Sequence, residues 1–246
     1  CTVITGPQQP EVWNILKEKA AEKNCSFYSA DKKQLSVISE NYYGLTISYK
    51  DFKCLNGPLA GKHQADNLIT ALEILIALRH MSYSISDKAI EDGLKKTSWP
   101  GRFTLLGTDP LFFIDGAHNE DAAKRLKESI DHYFPNQKWI YVLGVFRDKE
   151  FDKITALMAP SAMSIHTVDL PNKERTLSAS LLANAMKKHC SEDVAVAPES
   201  SIQEAVMHAI YEGRKNGAPV LAFGSLSYLG EIMEQYNQLT NKYSEE

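Results

Sequence analysis

The chain has 246 residues, 43% of them hydrophobic and 24% charged, with a formal net charge of −4. That balance suits a globular chain with a sizeable core, in one large domain or two ordinary ones. It gives no excess of positive charge for a nucleic acid or a membrane surface, and the longest apolar run, residues 74–78, is far too short to span a bilayer.

The first residues, "CTVITG", read as a strand with no Met and no polar lead-in. A chain rarely starts inside an element, so the expectation is the back part of a longer protein. Cys1, Cys25, Cys54 and Cys190 are scattered, with no C-x-x-C pair and no histidine at ligand spacing; four reduced cysteines in a cytoplasmic chain are expected. A helix, "PEVWNILKEKAAEKN", follows, then several short strands over residues 26–53.

"GPLAGKHQADN", residues 57–67, imitates a phosphate-binding loop without meeting its geometry. Such a loop needs four residues between its glycines and a hydroxyl after the lysine, so that successive N–H groups wrap the phosphates. Here three residues separate Gly57 from Gly61, Pro58 has no N–H, and His63 stands where the hydroxyl should be. The stretch reads instead as the start of a long apolar helix from about Gln64 to His80, with a shorter one near Asp87 to Lys96. "TSWPGR" breaks the pattern with Pro-Gly, and we set the domain boundary there: 1–97 and 98–246.

From residue 112 onward, apolar runs alternate with amphipathic helical patterns. "LFFID" precedes "NEDAAKRLKESIDHYF", with Ala122, Ala123, Leu126, Ile130 and Tyr133 on one face, and four more such units follow to "PVLAFG" and "LSYLGEIMEQYNQL". Five strand–helix units in series predict an α/β fold with a Rossmann-like, mostly parallel sheet, helices on both faces, and ligands beyond the carboxyl ends of the strands.

Five places can carry chemistry. "FFIDGAHNE" puts Asp115 and His118 at the carboxyl end of a strand; equally, Asn119 is a helix cap and its neighbours are loop polars. Arg102 in "SWPGRF" has the forked donors that bind phosphate, or is a linker arginine. His63 and Asn67 share a helix face four residues apart. Ser225 in "AFGSLSY" opens a helix as an anion site or a plain cap. Lys149 in "GVFRDKEF" follows a strand in a turn.

The order of these motifs is more specific than any one of them. H-Q-x-x-N on an apolar helix, W-P-G-R, D-G-A-H-N after a strand, G-V-x-x-D-K and G-S-L resemble the folylpolyglutamate synthases and dihydrofolate synthases of the Mur ligase superfamily. Peptidoglycan ligases of that superfamily usually carry H-N at the place of His63-Gln64 and Y-A-H-N at the place of residues 116–119, so a peptidoglycan-type fragment is the second reading and a non-catalytic nucleotide-binding or assembly domain the third. A dinucleotide oxidoreductase lacks its G-x-G-x-x-G.

The resemblance implies that residues 1–97 are the remnant of a P-loop-type ATPase domain and 98–246 the glutamate ligase domain. It implies ATP and Mg2+ as cofactors and a folate and L-glutamate as substrates; a monomer is expected. Asn67, Arg102 and Asp115 would meet ATP, His118 would be catalytic, and His63, Asn119, Lys149 and Ser225 would lie near substrate or phosphate. The phosphate loop and the metal ligands would lie upstream, with no metal ligand in this chain.

Overall fold

The computed structural model describes residues 1–242, and the chain divides into two compact units, Cys1–Ser98 and Trp99–Glu246. In the first, the β-favouring run Thr2–Thr5 forms β1, the helix α1 spans Pro10–Glu22 with proline in its first turn, and β2, Ser26–Ser29, returns parallel to β1. Proline there costs nothing, because a first-turn N–H has no helical partner. The parallel pairing aligns the residues just before each strand, with the Ser26 amide on the Cys1 carbonyl at 3.1 Å. Cys1 and Cys25 are consequently joined by a disulfide. This corrects the expectation of four reduced cysteines; Cys54 and Cys190 are free.

A three-stranded antiparallel meander follows: β3 (Leu35–Asn41), β4 (Gly44–Tyr49) and β5 (Phe52–Gly57). The helix α2, Lys62–His80, starts two residues earlier than the apolar pattern suggests, and α3 spans Asp87–Lys95. Leu68, Ile69 and Leu72 of α2 join Ile47, Tyr49 and Leu55 of the meander in one core. α2 also buries a carboxylate, Glu73, which accepts from the Tyr49 hydroxyl and pairs with Lys50. A buried charge left without partners would cost several kcal/mol; here both partners come from β4 or the residue after it, which locks the helix to the sheet. Burial and the neighbouring Glu73 push the Tyr49 hydroxyl up to about 12.

The second unit carries the predicted alternation. Its strands are β6 (Thr104–Thr108), β7 (Leu111–Ile114), β8 (Trp139–Leu143), β9 (Ala162–Thr167), β10 (Ala195–Pro198) and β11 (Val220–Phe223). The helices are α4 (Glu120–Tyr133), α5 (Phe151–Met158), α6 (Ala179–Lys187), α7 (Ile202–Asn216) and α8 (Leu229–Lys242). The sheet order is β10-β9-β8-β11-β7-β6, parallel except for β6, an antiparallel edge strand. Strands β7, β8 and β11 are apolar on both faces and nearly wholly buried, as a parallel sheet covered on both sides requires. On α4, Ala123, Leu126 and Ile130 are buried while Ala122 and Tyr133 are half-buried. Each large apolar side chain so buried contributes about 1.5–3 kcal/mol. The sheet's consequence for function is positional: the loops after β7, β8 and β11 emerge side by side at the carboxyl rim.

Candidate functional site

Three of the motifs meet in the second unit. Asp115 is the residue after β7, and its amide donates to the Ala222 carbonyl of β11 at 2.9 Å, extending the ladder one residue past the strand. Its carboxylate holds two turns at once. One oxygen accepts from the Phe103 amide at 2.8 Å, the other from the Ala117 amide at 2.8 Å. Gly116 then donates to the Gly101 carbonyl at 2.8 Å. The Pro-Gly-Arg turn and the Asp-Gly-Ala-His turn are thereby one hydrogen-bonded block.

Burial pushes the Asp115 carboxyl up to about 6, against the two backbone N–H donors and the electrostatic pull of the nearby Arg102 and His118, all of which lower it.

Arg102 stands between two residues of left-handed backbone, Gly101 at φ +86° and Phe103 at φ +45°. Glycine tolerates that region freely; for Phe103 it is strained. The strain is held by packing: the buried Phe103 ring stacks on Phe113 at 4.7 Å and on Tyr133 at 5.8 Å. Thr104 Oγ1 accepts from the amides of Gly101 and Arg102 at 3.1 and 3.3 Å. With both flanks anchored, the Arg102 side chain is left exposed.

His118 is half-buried, and its Nδ1 lies 2.8 Å from the Gly116 carbonyl. A carbonyl only accepts, so Nδ1 carries the proton and Nε2 is the basic nitrogen of the neutral ring. The small Gly116-Ala117 pair leaves little bulk before it. Asn119 is committed to capping: its side-chain oxygen accepts from the Ala122 amide at 2.9 Å, opening α4.

The Gly-Ser-Leu motif after β11 packs onto the same block. A Cβ on Gly116 would meet Leu226 Cγ at 2.7 Å and the Gly101 carbonyl oxygen at 3.3 Å, and one on Gly101 would meet Leu229 Cδ1 at 2.8 Å. Ser225 is buried and caps the short turn 226–228 through the Ser227 amide at 3.2 Å. Lys149 lies in the loop after β8, on the same rim, where its partners are Asp148 at 3.9 Å and the Phe146 carbonyl. Beside it Arg175 pairs with Asp148 at 3.0 Å and stacks on Phe146. The structure thus joins Arg102, Asp115, His118 and the Ser225 loop directly, and leaves Lys149 in a separate polar cluster.

His63 and Asn67 belong to the first unit, at the start of α2. Gln64 links them: its amide nitrogen lies 3.0 Å from His63 Nε2 and its oxygen accepts from Asn67 at 2.9 Å. Gln64 is buried and Asn67 exposed, so the buried amide orients the exposed one.

The family model for the "Mur ligase, glutamate ligase domain" matches residues 101–226. The chain belongs to the Mur ligase family. The Mur ligase match takes in Arg102, Asp115, His118, Asn119, Lys149 and Ser225 and leaves His63 and Asn67 outside it. A dihydrofolate synthase/folylpolyglutamate synthase of Bacillus subtilis is 26% identical over 243 residues, which is 95% of this chain and 54% of that protein. Among solved structures, the Mycobacterium tuberculosis folylpolyglutamate synthase complexed with ADP has a TM-score of 0.78 at 23% identity, over 96% of this chain and 55% of that one. A bifunctional folylpolyglutamate synthase/dihydrofolate synthase from Yersinia pestis, complexed with AMPPNP and a Mn ion, has a TM-score of 0.72 at 22% identity, over 96% and 53%. The chain spans about half the length of the relatives it matches. At these identities the structural likeness establishes the fold alone. No helix among the described residues is long and apolar enough to cross a membrane.

Sequence reading did not single out Thr104 or Phe103, and took Leu226 only as the last residue of G-S-L; all three shape the block. Their signal is tertiary: a hydroxyl, a ring and a leucine whose roles exist only once β7 and β11 are paired.

Proposed function

We propose that this chain is the C-terminal part of an ATP-dependent amide ligase that adds L-glutamate to a folate carboxylate, on tetrahydrofolate or dihydropteroate. The observation that carries this reading is the Asp115 clamp, which makes one rigid block of the turns bearing Arg102 and His118 at the carboxyl rim of a parallel sheet.

In such a reaction a folate carboxylate oxygen attacks the γ-phosphorus of ATP, giving an acyl phosphate and ADP. The glutamate amine then attacks the acyl carbon and phosphate leaves. Negative charge accumulates around the transferred phosphoryl group, and preorganised donors are the main means of stabilising it. Arg102, exposed on an anchored turn, binds phosphate oxygens through its fork of N–H groups. His118, with the proton on Nδ1 and a lone pair on Nε2, orients the incoming amine or takes up its proton; as imidazolium it hydrogen-bonds the departing phosphate. Asp115 positions both and can meet the nucleotide through its remaining lone pairs. Asn67 contacts the base of ATP, with His63 behind it through Gln64.

Magnesium wants six oxygens at near-octahedral geometry. The block offers one carboxylate, each of whose oxygens already accepts a backbone N–H. These residues do not fit a magnesium site of their own, and no step assigned to them runs through one.

Arg102→Ala in the complete protein tests the reading. The loss expected is about 1.5–3 kcal/mol in kcat/KM for ATP, the scale of a charged hydrogen bond, with an unchanged melting temperature because the side chain is exposed. An unchanged kcat/KM for ATP returns Arg102 to the linker.

A further inference from the structure

Away from the block, at the far side of the same sheet, His166, Glu199 and His208 come together. His166 is the penultimate residue of β9, Glu199 the residue after β10, and His208 lies in the second turn of α7. His166 Nδ1 lies 2.7 Å and His208 Nδ1 3.1 Å from the same carboxylate oxygen, Glu199 Oε1, and the three possible ligand atoms all lie within 4.8 Å of one another. His166 is buried, with its Nε2 lacking a hydrogen-bond partner, and Glu212, one turn beyond His208 on α7, has Oε2 3.5 Å from that nitrogen. Glu212 Oε2 in turn accepts from Ser164 Oγ.

The proton arrangement within this group is unbalanced. A carboxylate accepts but does not donate, so with Glu199 ionised both imidazoles must turn N–H groups to one oxygen. A neutral His166 protonated on Nδ1 then points a bare Nε2 at the carboxylate of Glu212, acceptor against acceptor. A cation on the Nδ1 side removes the conflict: Nδ1 becomes a ligand, the proton moves to Nε2, and Nε2–H donates to Glu212. That is the outer-shell carboxylate–histidine arrangement that orients metal-bound imidazoles. Two histidines and one glutamate are a zinc ligand set with a fourth position for water. At ordinary Zn–N and Zn–O bond lengths the ligand atoms of a tetrahedral site lie about 3.3–3.5 Å apart, so the contacts of 2.7 and 3.1 Å open by about 0.6–0.8 Å and about 0.2–0.4 Å on binding, while the two imidazoles, within 4.8 Å of each other, settle to the same spacing. His208, 46% exposed, provides the way in.

We propose that His166, Glu199 and His208 form a site for a zinc-class divalent cation, with Glu212 as its outer-shell positioning residue. The cation pins α7 and the loop after β10 to β9. The site is separate from the Asp115 block and stands whether or not the ligase reading does.

The test is a Zn2+ titration of the chelator-treated 246-residue chain against a chromophoric indicator. One saturable equivalent is expected. His208→Ala, which alters an exposed side chain, should weaken binding by at least about 100-fold, and Glu212→Gln by about 10-fold, the range that outer-shell losses span. Changing Cys54 and Cys190 to serine should leave affinity unchanged, and bound Co2+ should show four-coordinate visible bands without a thiolate charge-transfer band. Absence of a stoichiometric site, or a site whose affinity survives His208→Ala, overturns the proposal and leaves the three side chains as a hydrogen-bonded cluster.

Discussion

Single residues in the second unit divide sharply between those that hold the block and those it presents. His118 is presented: one ring nitrogen is tied to the Gly116 carbonyl and the side chain is half-buried. His118→Ala in the complete protein should lower turnover by about 10²-fold or more, the usual scale for a positioned acid or base, with little change in melting temperature. A fall in melting temperature with normal turnover would make it a helix-entry residue instead. Asp115 is a holder, and its raised pKa fixes the sign of a pH effect. The folded carboxyl titrates at about 6 against an ordinary 3.8, so between those values the folded state binds more protons than the unfolded chain. The stability this group contributes is complete below pH 3.8 and is lost as pH rises through 6. Asp115→Asn cannot titrate. The melting temperature of the variant minus that of the wild type should therefore increase from pH 4 to pH 7; a constant difference would mean an unperturbed carboxyl. Asp115 and His118 were legible as residues at a strand's end. That Asp115 ties its own turn to Phe103, twelve residues back, was not, because the tie requires the pairing of β7 with β6 and β11.

At the scale of elements, the close approach of the loops after β7 and β11 explains why Gly116 is glycine. Its Cβ position is filled by Leu226 Cγ at 2.7 Å and faced by the Gly101 carbonyl. Gly116→Ala should destabilise by about 1–3 kcal/mol, the cost of overpacking, and adding Leu226→Ala should recover most of it. Chemical denaturation of the two variants measures both, and an additive pair would mean that the leucine is not what closes the space. The five strand–helix units were readable because each apolar run is continuous and each helix keeps one apolar face. β6 was not: "TLLGT" is short, half-buried and interrupted by Gly107, and it is a strand only by pairing with β7. The Cys1–Cys25 disulfide was hidden for the same kind of reason, since it depends on β1 lying beside β2. His166, Glu199 and His208, with gaps of 33 and 9 residues between them, have no spacing a sequence motif can register.

For the whole molecule, the Mur ligase family membership and the missing phosphate loop point the same way. In the proposed function the chain supplies one set of phosphate-facing residues, and G-x-x-x-x-G-K-[ST] is nowhere in its 246 residues. Without a loop to align the γ-phosphate, the stabilisation of its transferred charge falls by several kcal/mol, so this chain by itself should not ligate glutamate. The measurement that bears most directly on the central claim is glutamate addition by the complete protein, followed by mass spectrometry of the folate together with ADP release. The account predicts a folate bearing an additional glutamyl residue, one ADP per bond formed, no product from the 246-residue chain alone, and a rate cut about 10²-fold by His118→Ala. Absence of glutamyl transfer to either tetrahydrofolate or dihydropteroate by the complete protein, or transfer without ATP, would contradict it.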